Sequence, residues 1–120
     1  MEVINSYKDL IVWQKSVFLS VKIYKITEQF PKHELYGIVS QIRRCAVSIP
    51  SNIAEGRGRG TKKDYCRFLQ ISLGSSNELE TQLEISKQLN YISTEDAKKL
   101  ESIIIEVIKM LKTMIRKMKY

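Results

Sequence analysis

The chain has 120 residues, 43% of them apolar, and a formal net charge of +7. That length suits one domain, residues 1–120, with its own core. The longest apolar run, Leu10–Trp13, falls far short of the roughly 18 residues that suggest a membrane span.

Five glycines and two prolines in the whole chain favour helix over a turn-rich β fold. The two cysteines, Cys45 and Cys66, have neither metal-ligand nor redox spacing. With no secretory pattern in residues 1–16, they fit small residues in the core of a cytoplasmic protein.

The first helix is expected from about Lys8 to Gln29, opened by a capping box of Ser6 and Asp9. Its apolar residues fall on two stripes: Leu10, Trp13, Val17, Val21 and Tyr24, and Ile11, Phe18, Leu19, Ile23 and Ile26. Together they predict a wide buried face. Phe30-Pro31 closes the segment, because a residue before proline is pushed out of the α region.

The second helix is expected from about His33 to Glu55. Val39, Ile42, Ala46, Ile49 and Ile53 recur at spacings of three and four, a helical seam. Pro50 lies inside that seam without breaking its phase. It removes one hydrogen bond to Ala46, so the sequence predicts a continuous helix kinked at 46–50 rather than two helices. Gly56 is then the expected left-handed residue that ends the helix.

The third helix is expected from about Lys62 to Leu89, capped by Thr61 with Asp64. Its seam is Tyr65, Phe68, Leu69, Leu79 and Leu83, interrupted by Gly74, Ser75 and Ser76. Small residues there admit another backbone, either within the subunit or across an interface. The fourth helix, about Glu95 to Lys119, is capped by Ser93 with Asp96. It carries the clearest seam in the chain: Leu100, Ile104, Val107, Leu111, Met114 and Met118. Its length is about 37 Å at 1.5 Å per residue. Short connections make the fold class all-α: an antiparallel up-down-up-down four-helix bundle.

Between the second and third helices runs "AEGRGRGTKKDY" (54–65). It is not a Walker loop, since the order is Gly60-Thr61-Lys62 and no strand precedes it. Nor do Gly56, Gly58 and Gly60 make a dinucleotide fingerprint. In an up-down bundle this loop shares one end with the C-terminus of the last helix. Arg57, Arg59, Lys62, Lys63 and Arg67 would then join Lys109, Lys112, Arg116, Lys117 and Lys119, against Glu55 and Asp64 alone. Charges at the other end cancel.

Basic residues near a helix C-terminus complement its dipole without any ligand. Lys62 and Lys63 sit instead at an N-terminus, where free N–H groups and cations attract anions. A basic end that is only solvated and a phosphate-binding surface are both open on this reading. With few aromatic residues interleaved, base stacking on single strands is not signalled.

A second, polar line follows the apolar seam: Gln41, Arg44, Ser48, Ser51 or Asn52, and Glu55. Folding the hairpin about Gly58 sets Arg43 and Arg44 opposite Leu73 and Ser72, with Glu78 in reach of an arginine or of a neighbouring subunit. A surface ion-pair face and a register-setting interface both fit this line. A catalytic carboxylate pair fits poorly, because no nucleophile, second histidine or metal set accompanies it. His33, the one histidine, falls in a loop. No cofactor is implied.

Three stretches, "DLIVWQKS" (9–16), "QIRRCAVSIPSNIAEGRGR" (41–59) and "FLQISLGSSNELETQL" (68–83), resemble the bacterial four-helix-bundle family named after proteins encoded in intervening sequences of 23S rRNA genes. The likeness covers about residues 7–92, with Cys45 where small alanine-like residues are usual. It implies a four-helix bundle assembling into a homo-oligomer, typically a pentameric ring, and no established reaction or catalytic set. The family is similar in fold to the accessory variability determinant of diversity-generating retroelements, a basic pentamer that works with a reverse transcriptase and nucleic acid.

The function expected is a non-enzymatic oligomer binding RNA more than DNA through its basic end. The alternative is an adaptor for an acidic protein.

Overall fold

In the computed structural model, which describes residues 6–118, four α-helices pack side by side in a body of 45 × 25 × 22 Å. They are α1 (Ile11–Thr27), α2 (Ile38–Gly58), α3 (Lys62–Gln88) and α4 (Thr94–Met118). No strand occurs among the described residues. Contacts run α1–α2, α2–α3, α3–α4 and α1–α4, with no diagonal pair.

The seam expected on α2 is buried in full, as is that of α3. On α4, Leu100, Ile104, Val107 and Leu111 are buried while Met114 and Met118 pack at the edge. Two expected caps are in place: Thr61 Oγ1 accepts from the Asp64 N–H at 3.2 Å and Ser93 Oγ from the Asp96 N–H at 3.0 Å. At the end of α3, Asn90 takes φ 62° and the Tyr91 N–H reaches the Ser86 carbonyl at 2.9 Å. That is a Schellman closure with asparagine in the usual glycine position.

The first helix begins later than expected. Ser6 caps a 3-10 turn, Tyr7–Asp9, by accepting from the Lys8 N–H at 3.1 Å. Leu10 is extended and separates that turn from α1. The break lets Leu10 lie against the core and sets Tyr7 edge-on to Trp13, with centroids 5.4 Å apart.

The buried face of α1 also differs. Val12, Ser16, Leu19, Ser20, Ile23 and Thr27 are buried, whereas Ile11, Phe18, Val21 and Tyr24 are exposed. Three small hydroxyl residues turn inward because each can bond a carbonyl of its own helix: Ser16 to Trp13, Ser20 to Ser16 and Thr27 to Ile23. A buried hydroxyl so satisfied carries little cost.

The second helix also starts later, at Ile38. Lys32–Glu34 form a 3-10 turn, and Gly37, at φ −106°, ψ −118°, breaks the run. From there α2 is continuous through Pro50. Proline has no N–H for the Ala46 carbonyl. The Ser20 hydroxyl on α1 stands 3.1 Å from that oxygen and 2.9 Å from its own Ser16 carbonyl.

Gly56 does not end the helix, contrary to expectation. It is buried inside α2 against α3, and a Cβ there would lie 2.7 Å from the Phe68 Cβ. The left-handed residue is Gly60, at φ 88°.

Candidate nucleic-acid interface

The later turn resets the hairpin register. Ser72 Oγ donates to the Ile49 carbonyl at 2.9 Å, so Ser72 lies against Ile49 rather than Arg44. Ser75 meets Ser48, hydroxyl to hydroxyl, at 2.9 Å, and its carbonyl accepts from the Cys45 thiol at 3.0 Å. Asn52 Nδ2 donates to the Ser48 carbonyl and hydroxyl, at 2.8 and 2.9 Å. Ser76 is buried and donates to the Ser72 carbonyl. Ser75 thus joins α3 to α2 within one subunit, while Ser76 and Asn52 bond within their own helices. Gly74, between them in sequence, faces outward with nothing within 4 Å of its would-be Cβ.

Arg43 turns away from α3 altogether. Its Nε donates to Thr27 Oγ1 at 2.9 Å, its Nη2 to the Tyr24 carbonyl at 3.3 Å, and its guanidinium lies 4.7 Å from the Tyr24 ring centre. It ties α2 to α1, because α1 presents a carbonyl and a hydroxyl at that level. Gln41, Arg44 and Glu78 line an open groove between α2 and α3, and no ion pair joins Arg44 to Glu78. Burial first, and the Glu78 carboxylate second, push the Cys45 thiol up to about 12. It therefore stays protonated and is a poor nucleophile.

At the α2–α3 junction the arginines are organised by two aromatic rings. The Arg59 guanidinium lies 5.1 Å from the Phe68 ring centre and Arg67 lies 4.9 Å from it, while Arg57 stands 6.0 Å from Tyr65. Burial raises the Tyr65 phenol, and the Arg57 charge beside it pulls back. Arg59 also bonds Glu55 at 3.1 Å, one helical turn away.

A ring contact orients a guanidinium without using up its N–H groups, though Arg59 gives one of its own to Glu55. Lys62 and Lys63 follow at once in the first turn of α3, exposed and with no ion pair among the described residues. Composition could not assign this role to Phe68, which reads there only as core. The spacing of Glu55 and Arg59 was the one local signal.

Lys112, Arg116 and Lys117 are exposed on the last turns of α4. Arg116 makes only a long contact, 3.5 Å, to Thr113. The inner side of this stretch shares an apolar groove with Leu10, Ile11 and Val12. Lys119 lies outside the described residues.

A family model described as 23S rRNA-intervening sequence protein matches residues 8–113. Among solved structures, a protein of unknown function from the S23 ribosomal protein family of Bacteroides thetaiotaomicron is similar, with TM-score 0.82 and 27% identity. The match covers 88% of this chain and 96% of that one. Among curated proteins nothing matches.

Proposed function

This chain belongs to the 23S rRNA-intervening sequence protein family, and we propose that it is a non-enzymatic, self-associating helical bundle that binds nucleic acid, RNA in preference to DNA, through the α2–α3 junction. The observation that carries this reading is the set of three arginines held on Tyr65 and Phe68 beside Lys62 and Lys63. Arginine N–H edges, lysine ammonium groups and the free N–H groups at the start of α3 all suit phosphate oxygens. Lys112, Arg116 and Lys117 extend the positive field from α4.

Such contacts position a backbone and carry no sequence information of their own. A binder is favoured over an enzyme because the Cys45 thiol is held protonated and the one histidine, His33, lies exposed in a turn.

Self-association draws support from apolar side chains left in solvent: Phe18, Val21 and Tyr24 on α1, and Ile71, Ile85 and Leu89 on α3. A pentamer is the number that the family resemblance implies.

A pull-down at native salt, with and without nuclease, tests the binding reading. Co-purifying RNA that is lost on nuclease treatment is expected. An acidic protein that stays bound after nuclease, with no RNA recovered, would transfer the basic junction to the role of a protein adaptor.

A further inference from the structure

The α2–α3 groove holds about 450 Å³, a volume in the range of small-ligand sites. Its lining is polar and incompletely used. Ser48 and Ser75 bond each other, but Arg44 and Glu78 face the same space without pairing. One turn beyond Glu78, Gln82 is only 8% exposed, and its Oε1 is buried without any hydrogen-bond donor. A buried amide oxygen left so carries a desolvation cost. Gln82 is one of the residues lining the groove, and its last torsion is soft. At the groove mouth Tyr36 is 93% exposed, a ring with no packing role in the chain.

We infer that this groove takes an unpaired guanine base. Two acceptors stand one helical turn apart on α3, Glu78 and Gln82, and guanine offers N1–H and N2–H₂ donors side by side on one edge. Its O6 and N7 then face a donor, and arginine is the usual partner for that pair. Arg44 supplies it from α2. Tyr36 gives the stacking face on which unstacked RNA bases are bound. Adenine presents a single donor group beside its acceptors and leaves one of the α3 acceptors unmet.

The inference rests on the RNA reading above and adds sequence preference to it. The α2–α3 junction holds phosphates and the groove selects the base.

Fluorescence anisotropy with labelled hexauridylates carrying one central G or A tests the selection. The wild type is expected to bind the G oligonucleotide about tenfold tighter, near the value of one bidentate base contact. Glu78→Ala and Arg44→Ala should bring the ratio close to one while leaving the salt dependence in place. Replacing Arg57, Arg59, Lys62 and Lys63 by alanine should weaken both oligonucleotides alike and keep the ratio. A wild-type ratio of one overturns the groove assignment and leaves the phosphate grip standing.

Should the oligonucleotides not bind at all, the phosphate grip fails. Titration with 5′-GMP and 5′-AMP, followed by NMR of the Gln82 side-chain amide and the Tyr36 ring, then decides the groove alone. Shifts with GMP and not AMP support it. No shift, or equal shifts, overturns it.

Discussion

A Cβ built on Gly56 lands 2.7 Å from the Phe68 Cβ and 3.2 Å from the Tyr65 ring, so alanine there must push α2 and α3 apart. Overpacking of this kind costs about 1–3 kcal/mol, set against roughly 1 kcal/mol gained in helix propensity. Gly56→Ala is expected to lower the urea midpoint, whereas Gly58→Ala, with open space around it, should leave it unchanged or raise it. Equal midpoints for the two variants would show that the close approach is not needed.

The cysteines give a second contrast. Burial and Glu78 push the Cys45 thiol up to about 12, and Cys45 is buried whereas Cys66 is half-buried. Iodoacetamide at pH 8 should therefore modify Cys66 in the folded protein and spare Cys45 until the chain unfolds. Rapid labelling of Cys45 would contradict the packing described.

At the scale of elements, the bond from Ser20 to the Ala46 carbonyl couples α1 to the proline of α2. Ser20→Ala alone should cost about 1 kcal/mol, since it removes the hydroxyl that Ser20 shares between the Ser16 carbonyl and a buried carbonyl whose usual partner, residue 50, is proline. In a Pro50→Ala background residue 50 regains its N–H, and the cost of losing Ser20 should fall. A double-mutant cycle by chemical denaturation reads the coupling, and a coupling of zero would separate the two residues.

The helices of this bundle were legible where apolar residues recur in phase, as on α2 and α4. Two capping boxes placed the starts of α3 and α4. The inward face of α1 was not legible, because Ser16, Ser20 and Thr27 are polar by type and buried only through bonds to their own helix. The turn was misplaced for a related reason. Gly56, Gly58 and Gly60 are alike in sequence, yet one permits close packing, one has open space and one takes a positive φ. That difference moved the hairpin register, and with it Glu78 to Cys45, while Arg43 lies on the face of α2 turned to α1. Of the basic junction, the charges were legible and the rings that hold them were not, since pairing Arg59 with Phe68 requires the hairpin itself.

At the scale of the whole molecule, the proposed self-association would cover the exposed apolar residues of α1 and α3. Multi-angle light scattering should report several times the 14.0 kDa of one chain, and a monomer at micromolar concentration would contradict self-association. No helix among the described residues is long and apolar enough to cross a membrane.

If the α2–α3 junction grips phosphate, its basic residues set the salt dependence of RNA binding. For single strands the log-log slope of affinity against salt changes by about 0.7 per phosphate neutralised. Wild-type protein and the variant with Arg57, Arg59, Lys62 and Lys63 all replaced by alanine are to be compared by anisotropy at two or more salt concentrations, with circular dichroism to verify folding. A shallower slope and a steep loss of affinity in a folded variant are the predicted result. Equal affinity and equal slope for the two proteins would reduce the junction to a solvated basic surface.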